Sequence, residues 1–319
     1  MEYVWLVLGF VLLIKGADWF VDGASALSKR FGIPSVVIGL TVVAFGTSLP
    51  EASVSISAAL NGSSGISIGN VFGSNLFNLL VVAGASAVFC PIMVDKSIIK
   101  KDMPYSFINA LTLLFLSFSV FPGAVADNVI SRADGIILLL FFAIFMYYTV
   151  SAALIAPAPQ EDDNQKIMPL WQQFLFIAVG LACIVIGGDR TVEGAKTIAS
   201  TLGMSDSLIG LTIVAIGTSL PELVTSIVAA KKGESDISMG NVIGSNIFNI
   251  LFVLGVSSVI APIKIAAGDV TNSLYDLIIL SLVTLLIYIP VAKTKKVSRI
   301  LGVLMVIAYV IYTAYIIIR

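Results

Sequence analysis

Residues Gly39-Leu-Thr-Val-Val-Ala-Phe-Gly-Thr-Ser-Leu-Pro-Glu51 return as Gly210-Leu-Thr-Ile-Val-Ala-Ile-Gly-Thr-Ser-Leu-Pro-Glu222. Each copy closes an apolar run with one carboxylate, where an ion is costly unless an opposite charge meets it. The offset of 171 residues that carries Glu51 onto Glu222 also carries Asp18 onto Asp189, Asp22 onto Glu193 and Pro91 onto Pro262. It carries Ile66-Ser-Ile-Gly-Asn-Val-Phe-Gly-Ser-Asn-Leu-Phe-Asn78 onto Ile237-Ser-Met-Gly-Asn-Val-Ile-Gly-Ser-Asn-Ile-Phe-Asn249. A match this dense is an internal duplication.

Of the 319 residues, 58% are hydrophobic and 12% charged, against about a quarter charged in a soluble domain. Such a chain cannot cover its surface in water, and several runs exceed the roughly 20 apolar residues that cross a bilayer as a helix. It is read as an all-α integral membrane protein. Charges gather in short connectors and place ten helices at about 2–27, 35–60, 66–90, 104–121, 133–155, 170–198, 207–230, 237–260, 272–290 and 298–317. A polar stretch at 157–169, containing Gln160-Glu-Asp-Asp-Asn-Gln-Lys166, separates a first half, 1–156, from a second, 170–319. It reads as a plain cytoplasmic linker, too short for a regulatory domain. The N-terminus lacks the basic region of a signal peptide, so the first helix is expected to remain as a span. Cys90 and Cys183 sit in apolar segments as packing residues. The chain has no His, which excludes imidazole proton relays and His-ligated metals.

Connectors after odd-numbered helices carry Lys29, Arg30, Lys96, Lys100, Lys101, Lys166, Lys231, Lys232, Lys293, Lys295, Lys296 and Arg299; the opposite side has Arg132, Arg190, Lys196, Lys264 and Arg319. The richer side is expected to face the cytoplasm, with both termini outside. Five helices per half is an odd number, so the second copy enters the membrane upside down. Inverted repeats with interrupted helices are a transporter architecture, with the substrate site at the midplane between the repeats. A duplicated channel would share this count, so topology alone leaves it open.

Within the second helix, Pro50 has no N–H to donate and Gly46 is a weak helix former. The helix is expected to open here and free carbonyls around Ala44 to Thr47. Such carbonyls are costly in hydrocarbon unless something coordinates them, as a cation would. Glu51 lies one turn from Thr47. The seventh helix repeats the pattern with Gly217, Thr218, Ser219, Pro221 and Glu222. A bend packed on a polar neighbour is the plain alternative, but it needs no acid. In helices 3 and 8, Asn70, Ser74 and Asn78, and likewise Asn241, Ser245 and Asn249, form stripes of oxygen-bearing side chains that suit Na⁺ or Ca²⁺. Helix–helix hydrogen bonding is the alternative for these groups. Asn75 and Asn246 point off the stripe and are expected to staple the broken helices.

Two ionised glutamates balance one Ca²⁺ or two Na⁺. An opposite pair at about 4 Å is worth roughly 4 kcal/mol at an effective dielectric near 20, so neither acid is dispensable for a divalent ion. In an empty site protons are expected to compete with the cation. Asp18 and Asp22, and Asp189 and Glu193, share faces near the ends of helices 1 and 6. They are either interfacial acids paired with Lys15 or Arg190, or the mouth of an ion pathway. Gly16, Ala17, Gly23, Gly180, Gly187 and Gly188 are expected to let these two helices slide against the rest.

Gly-Thr-Ser-Leu-Pro-Glu followed by Gly-Asn-Val-x-Gly-Ser-Asn-x-x-Asn, twice over, resembles the alpha repeats of the calcium/cation antiporter superfamily, above all its prokaryotic sodium/calcium exchanger branch. The resemblance covers nearly the whole chain. It implies ten transmembrane helices in two inverted five-helix repeats, helices 2 and 7 broken near the midplane, and alternating access. It also implies exchange of several Na⁺ for one Ca²⁺ at a shared central site. Carried over, Glu51 and Glu222 are the acidic ligands, and Thr47, Ser48, Thr218 and Ser219 the broken-helix ligands. Carbonyls at Ala44, Thr47, Ala215 and Thr218 join them, with Ser74 and Ser245 as sodium-site hydroxyls and helices 1 and 6 as the mobile gating pair. One position departs. Relatives often pair Asn in helix 3 with Asp in helix 8, whereas this chain has Asn78 and Asn249. Stoichiometry, electrogenicity and driving ion stay open on that ground.

Three transport alternatives follow: a proton/calcium exchanger, a Na⁺ or K⁺ antiporter without Ca²⁺, and a cation channel, against which stands the lack of a filter-like carbonyl ring. No nucleophile–base pair, His metal motif or phosphate loop supports an enzyme. The expected partners are the transported ions and the lipid bilayer, with no cofactor and no nucleic acid. One chain supplies both halves of the site, so a monomer in the cell membrane suffices.

Overall fold

The computed structural model describes residues 2–118, 128–155, 168–201, 215–265 and 270–318. In chain order the helices are α1 (Glu2–Phe31), α2 (Ser35–Thr47), α3 (Leu49–Leu60), α4 (Ser64–Phe89), α5 (Met103–Ser117, after a π turn at Ile98–Asp102) and α6 (Arg132–Ile155). The second half supplies α7 (Leu170–Thr201), α8 (Ala215–Thr218), α9 (Leu220–Lys231), α10 (Ser235–Ile260), α11 (Val270–Thr294) and α12 (Arg299–Ile318). Seven of the described helices are long and apolar enough to cross a bilayer, and the bent pair α2–α3 makes an eighth. The expected spans at 104–121 and 207–230 run into residues outside those described, as does most of the expected linker at 157–169. The expected ninth helix runs past its assigned end, through Pro290 to Thr294. In lipid, abandoning the helix would unpair more backbone groups than one proline does.

Burial sorts the helices into layers. In α4 and α10, 78% of the most apolar window is buried, against 17% in α6 and α12. The former are central, and the latter turn residues such as Leu154, Ile155, Ile300 and Ile311 outward. Two-residue antiparallel ladders tie the ends together: Ile92–Met93 with Lys296–Val297, and Val129–Ile130 with Ile263–Lys264.

The inversion is visible where α1 meets α7. A Cβ at Gly9 would lie 2.9 Å from the Gly187 carbonyl oxygen, and one at Gly16 would lie 2.7 Å from that of Gly180. Numbers rise along one helix as they fall along the other, so the pair is antiparallel. The duplication offset exchanges the two contacts, taking Gly9 to Gly180 and Gly16 to Gly187. The halves are thus related by a two-fold axis that crosses this seam perpendicular to the helices, in the plane of the membrane. These glycines face each other, not the remaining helices as expected from the sequence. Small residues bring two backbones together, and here the partner is the repeat copy.

Candidate functional site

The expected break in the second helix lies at Ser48 (φ −86°, ψ 7°), where α2 and α3 meet at a bend of 49°. Its counterpart is Ser219 (φ −95°, ψ 8°) between α8 and α9. Pro50 and Pro221 sit in the first turn after each break, a place where a missing N–H costs nothing. Glu51 and Glu222 follow in the same first turns, and both are fully buried. The positive end of each half-helix therefore helps to hold its carboxylate. The freed carbonyls are fewer than the sequence implied. Ala44 accepts the Ser48 N–H at 3.0 Å and keeps only its second lone pair.

The two breaks cross-link. Ser48 Oγ donates to Glu222 Oε1 at 2.9 Å, and Ser219 Oγ donates to Glu51 Oε1 at 2.8 Å. Ser74 Oγ lies 3.4 Å from Glu51 Oε1 and 3.1 Å from Ser219 Oγ. Each glutamate thus has one oxygen held by the opposite repeat. Among the described residues the second oxygens, Glu51 Oε2 and Glu222 Oε2, are buried without a partner, as are Asn78 Oδ1 and Asn249 Oδ1. Unpaired buried acceptors are expensive, and carboxylate and amide oxygens are the ligand types that suit a hard cation.

A second ring braces the first. Asn70 Nδ2 donates to the Glu51 carbonyl (3.2 Å) and Ser55 Oγ (2.9 Å); Asn241 Nδ2 donates to the Glu222 carbonyl (3.4 Å) and Ser226 Oγ (2.9 Å). Their oxygens accept from Thr218 and Thr47 across the axis, at 3.4 and 3.0 Å. Thr47 Oγ1 also lies 3.1 Å from the Val43 carbonyl and 3.4 Å from that of Ala44, and its one proton serves a single acceptor at a time. Ser245 Oγ turns to Asn241 Oδ1 at 3.5 Å, unlike Ser74 on its glutamate. Ala215 begins α8. Asn75 and Asn246 do not staple the broken helices: each donates to the other's backbone carbonyl, at 3.4 and 3.2 Å. Asn78 and Asn249 each open a π turn, 78–82 and 249–253, which widens the helix at the site.

A family model described as sodium/calcium exchanger protein matches residues 1–151 and 172–318. The chain belongs to the sodium/calcium exchanger family. It is 41% identical to the putative antiporter CaxA of Alkalimonas amylolytica over 97% of this chain and 96% of that one. It is 33% identical to the sodium/calcium exchanger MaX1 of Methanosarcina acetivorans, covering 98% and 97%. The sodium-calcium exchanger NCX_Mj, soaked with Na⁺ and no Ca²⁺, superposes with a TM-score of 0.84 at 34% identity and 98% coverage of both chains.

In this exchanger the matched acids lie inside α1 and α7, which run further than the sequence implied, and the two pairs are used differently. Lys232 Nζ lies 2.7 Å from both Asp18 Oδ1 and Asp22 Oδ1 and donates to the Asp18 carbonyl at 2.8 Å. Beside it Ser25 donates to Glu234, and Lys29 lies 3.7 Å from the same carboxylate. The expected pairing of these acids with Lys15 gives way to a lysine from α9's far end. At the opposite mouth Glu193 pairs with Arg190 at 2.8 Å, as expected. Asp189, Glu193 and Lys196 line a cavity of about 730 Å³ that reaches Thr218 and the prolines Pro50 and Pro221. The sequence pattern does not single out Lys232, although one signal was present: the repeat breaks there, with Asn61 as its counterpart. Two further buried acids, Asp102 and Asp276, are held by Tyr148 at 2.6 Å and Tyr312 at 3.2 Å, as anchors of the outer helices.

Proposed function

We propose that this antiporter exchanges Na⁺ for Ca²⁺ at one central site built jointly by the halves 1–156 and 170–319, joined by a cytoplasmic linker at 157–169. Glu51 and Glu222 supply the charge. Asn78, Asn249, Ser74, Ser245 and the broken-helix groups Thr47, Ser48, Thr218 and Ser219, with the carbonyls of Ala44 and Ala215, supply neutral oxygens as the two kinds of ion alternate. The reading rests above all on the crossed Ser48–Glu222 and Ser219–Glu51 bonds, which bring both acids to one place and leave an oxygen of each without a partner among the described residues. The basic connectors face the cytoplasm of a cell membrane, both termini lie outside, and one chain is a complete unit.

Alternating access follows from the crossed Ser–Glu bonds. A cation held by the free Oε2 atoms also meets the Ser48 and Ser219 oxygens of the crossed bonds, so loading the site and the state of the two breaks are linked events. The amides at 78 and 249 support a second reading, in which protons drive Ca²⁺ movement, because only two acids line the site.

Ca²⁺ uptake into proteoliposomes loaded with Na⁺, compared with K⁺ loading and with a pH gradient, tests this. Uptake that requires internal Na⁺ and falls more than about a hundredfold in Glu51→Gln and in Glu222→Gln is expected. Uptake driven by the pH gradient alone moves the chain to proton/calcium exchange. Flux without counter-ion sinks the antiport mechanism.

A further inference from the structure

We propose that Asn75 is a positioning residue that decides which atom of Asn249 faces the ion. This rests on the reading of Asn249 as a ligand. Asn75 is fully buried in α4, beside the two-fold axis. Its Nδ2 donates to the backbone carbonyl of Asn246 at 3.4 Å, and Asn246 Nδ2 returns a bond to the Asn75 carbonyl at 3.2 Å. A backbone carbonyl can only accept, and a primary amide donates only through nitrogen. Asn75 must therefore turn Oδ1 away from Asn246, toward Asn249. There it accepts the Asn249 Nδ2 at 3.2 Å. With its nitrogen engaged, Asn249 keeps Oδ1 buried and free of partners among the described residues, as an ion ligand requires. The polarity of a ligand amide is thus traced back, through one neighbour, to a main-chain group that cannot change its own.

The counterpart in the first half lacks this constraint. Asn246 Oδ1 and both side-chain atoms of Asn78 have no partner, so the Asn78 amide can turn either way. Asn249 is a preset oxygen ligand and Asn78 an adaptable one. Fixing a ligand from behind commonly matters for affinity nearly as much as the ligand itself.

Equilibrium binding of radiolabelled Ca²⁺ to the full chain, purified in detergent, tests this with Asn249→Ala, Asn75→Ala, their double variant and Asn246→Ala. Asn75→Ala is expected to weaken binding about tenfold, with no further loss when added to Asn249→Ala. Asn246→Ala removes the same kind of cross-axis bond but leaves the carbonyl that orients Asn75. It should lower the melting temperature as much as Asn75→Ala and shift binding less than about twofold. Should Asn75→Ala not fold, Asn75→Leu, closer to asparagine in volume, replaces it. An undiminished Asn75 effect in the Asn249→Ala background, or an equal effect of Asn246→Ala, overturns the proposal alone. Unchanged binding in Asn249→Ala, while Glu51→Gln loses it, removes Asn249 as a ligand and the proposal with it.

Discussion

In the second half of α1, Asp18 and Asp22 share one lysine and its neighbours interlock, whereas in the second half of α7 their counterparts Asp189 and Glu193 border a cavity that reaches the helix breaks. The acids are matched by the duplication; the cation between them is not. Lys232 stands at the first mouth, and its counterpart at the second, Asn61, is exposed and bonds only locally, to Ser57 at 3.4 Å. A two-fold repeat would make inward-open and outward-open forms equal in energy. The asymmetry at 232 and 61 is where this chain departs from that equality, and it favours closure at the proposed cytoplasmic end.

Three changes probe the difference. Each can be read by thiol labelling at Ser53→Cys, which lines the cavity, and at Val224→Cys, its repeat counterpart, with Cys90 and Cys183 replaced by Ala. The largest effect is expected from Lys232→Glu, which sets a third acid beside two others. A swing of about tenfold or more toward labelling at position 224 should follow, since an attraction becomes a repulsion. Equal labelling before and after would show that the bridge has no bearing on which mouth is closed. Next comes the exchange Lys232→Asn with Asn61→Lys, which moves the cation to the other mouth. Labelling at position 53 should fall about fivefold, a difference of about 1 kcal/mol, because the bridged groups are 26% to 45% exposed and water screens them. The smallest is ionic strength. Raising salt from about 0.1 to 1 M should shift the unmodified chain about twofold and leave Lys232→Asn unmoved, as screening weakens only a bridge that exists.

Much of the candidate site is legible in the sequence, for a physical reason. A carboxylate, a proline and a glycine inside an apolar run are each costly alone, so their joint recurrence at Glu51 and Glu222 marks a built feature. The break at Ser48 and the stripe ending at Asn78 followed from backbone chemistry local to the chain. The crossed bonds Ser48–Glu222 and Ser219–Glu51 were not legible, since a repeat tells which residues correspond but not which ones meet. The π turns at Asn78 and Asn249 have no signature in composition. The mutual bonds of Asn75 and Asn246 are not legible either, because helical periodicity gives a side chain's direction, while the axis that brings the two together belongs to the assembled halves. Lys232 stands in the sequence only as one basic connector residue, because a repeat marks the positions where its copies agree.

The seam between α1 and α7 has a mechanical consequence. Backbones that touch through Gly9 and Gly187, and through Gly16 and Gly180, leave no layer of side chains to shear. One of these helices carries the acids of one mouth, and the other carries the acids of the opposite mouth. A single welded beam then serves both doors. In the proposed alternating access, swinging it to admit an ion on one side pushes it shut on the other, so the leak that would dissipate a gradient is prevented by geometry without any signal passing between the two ends.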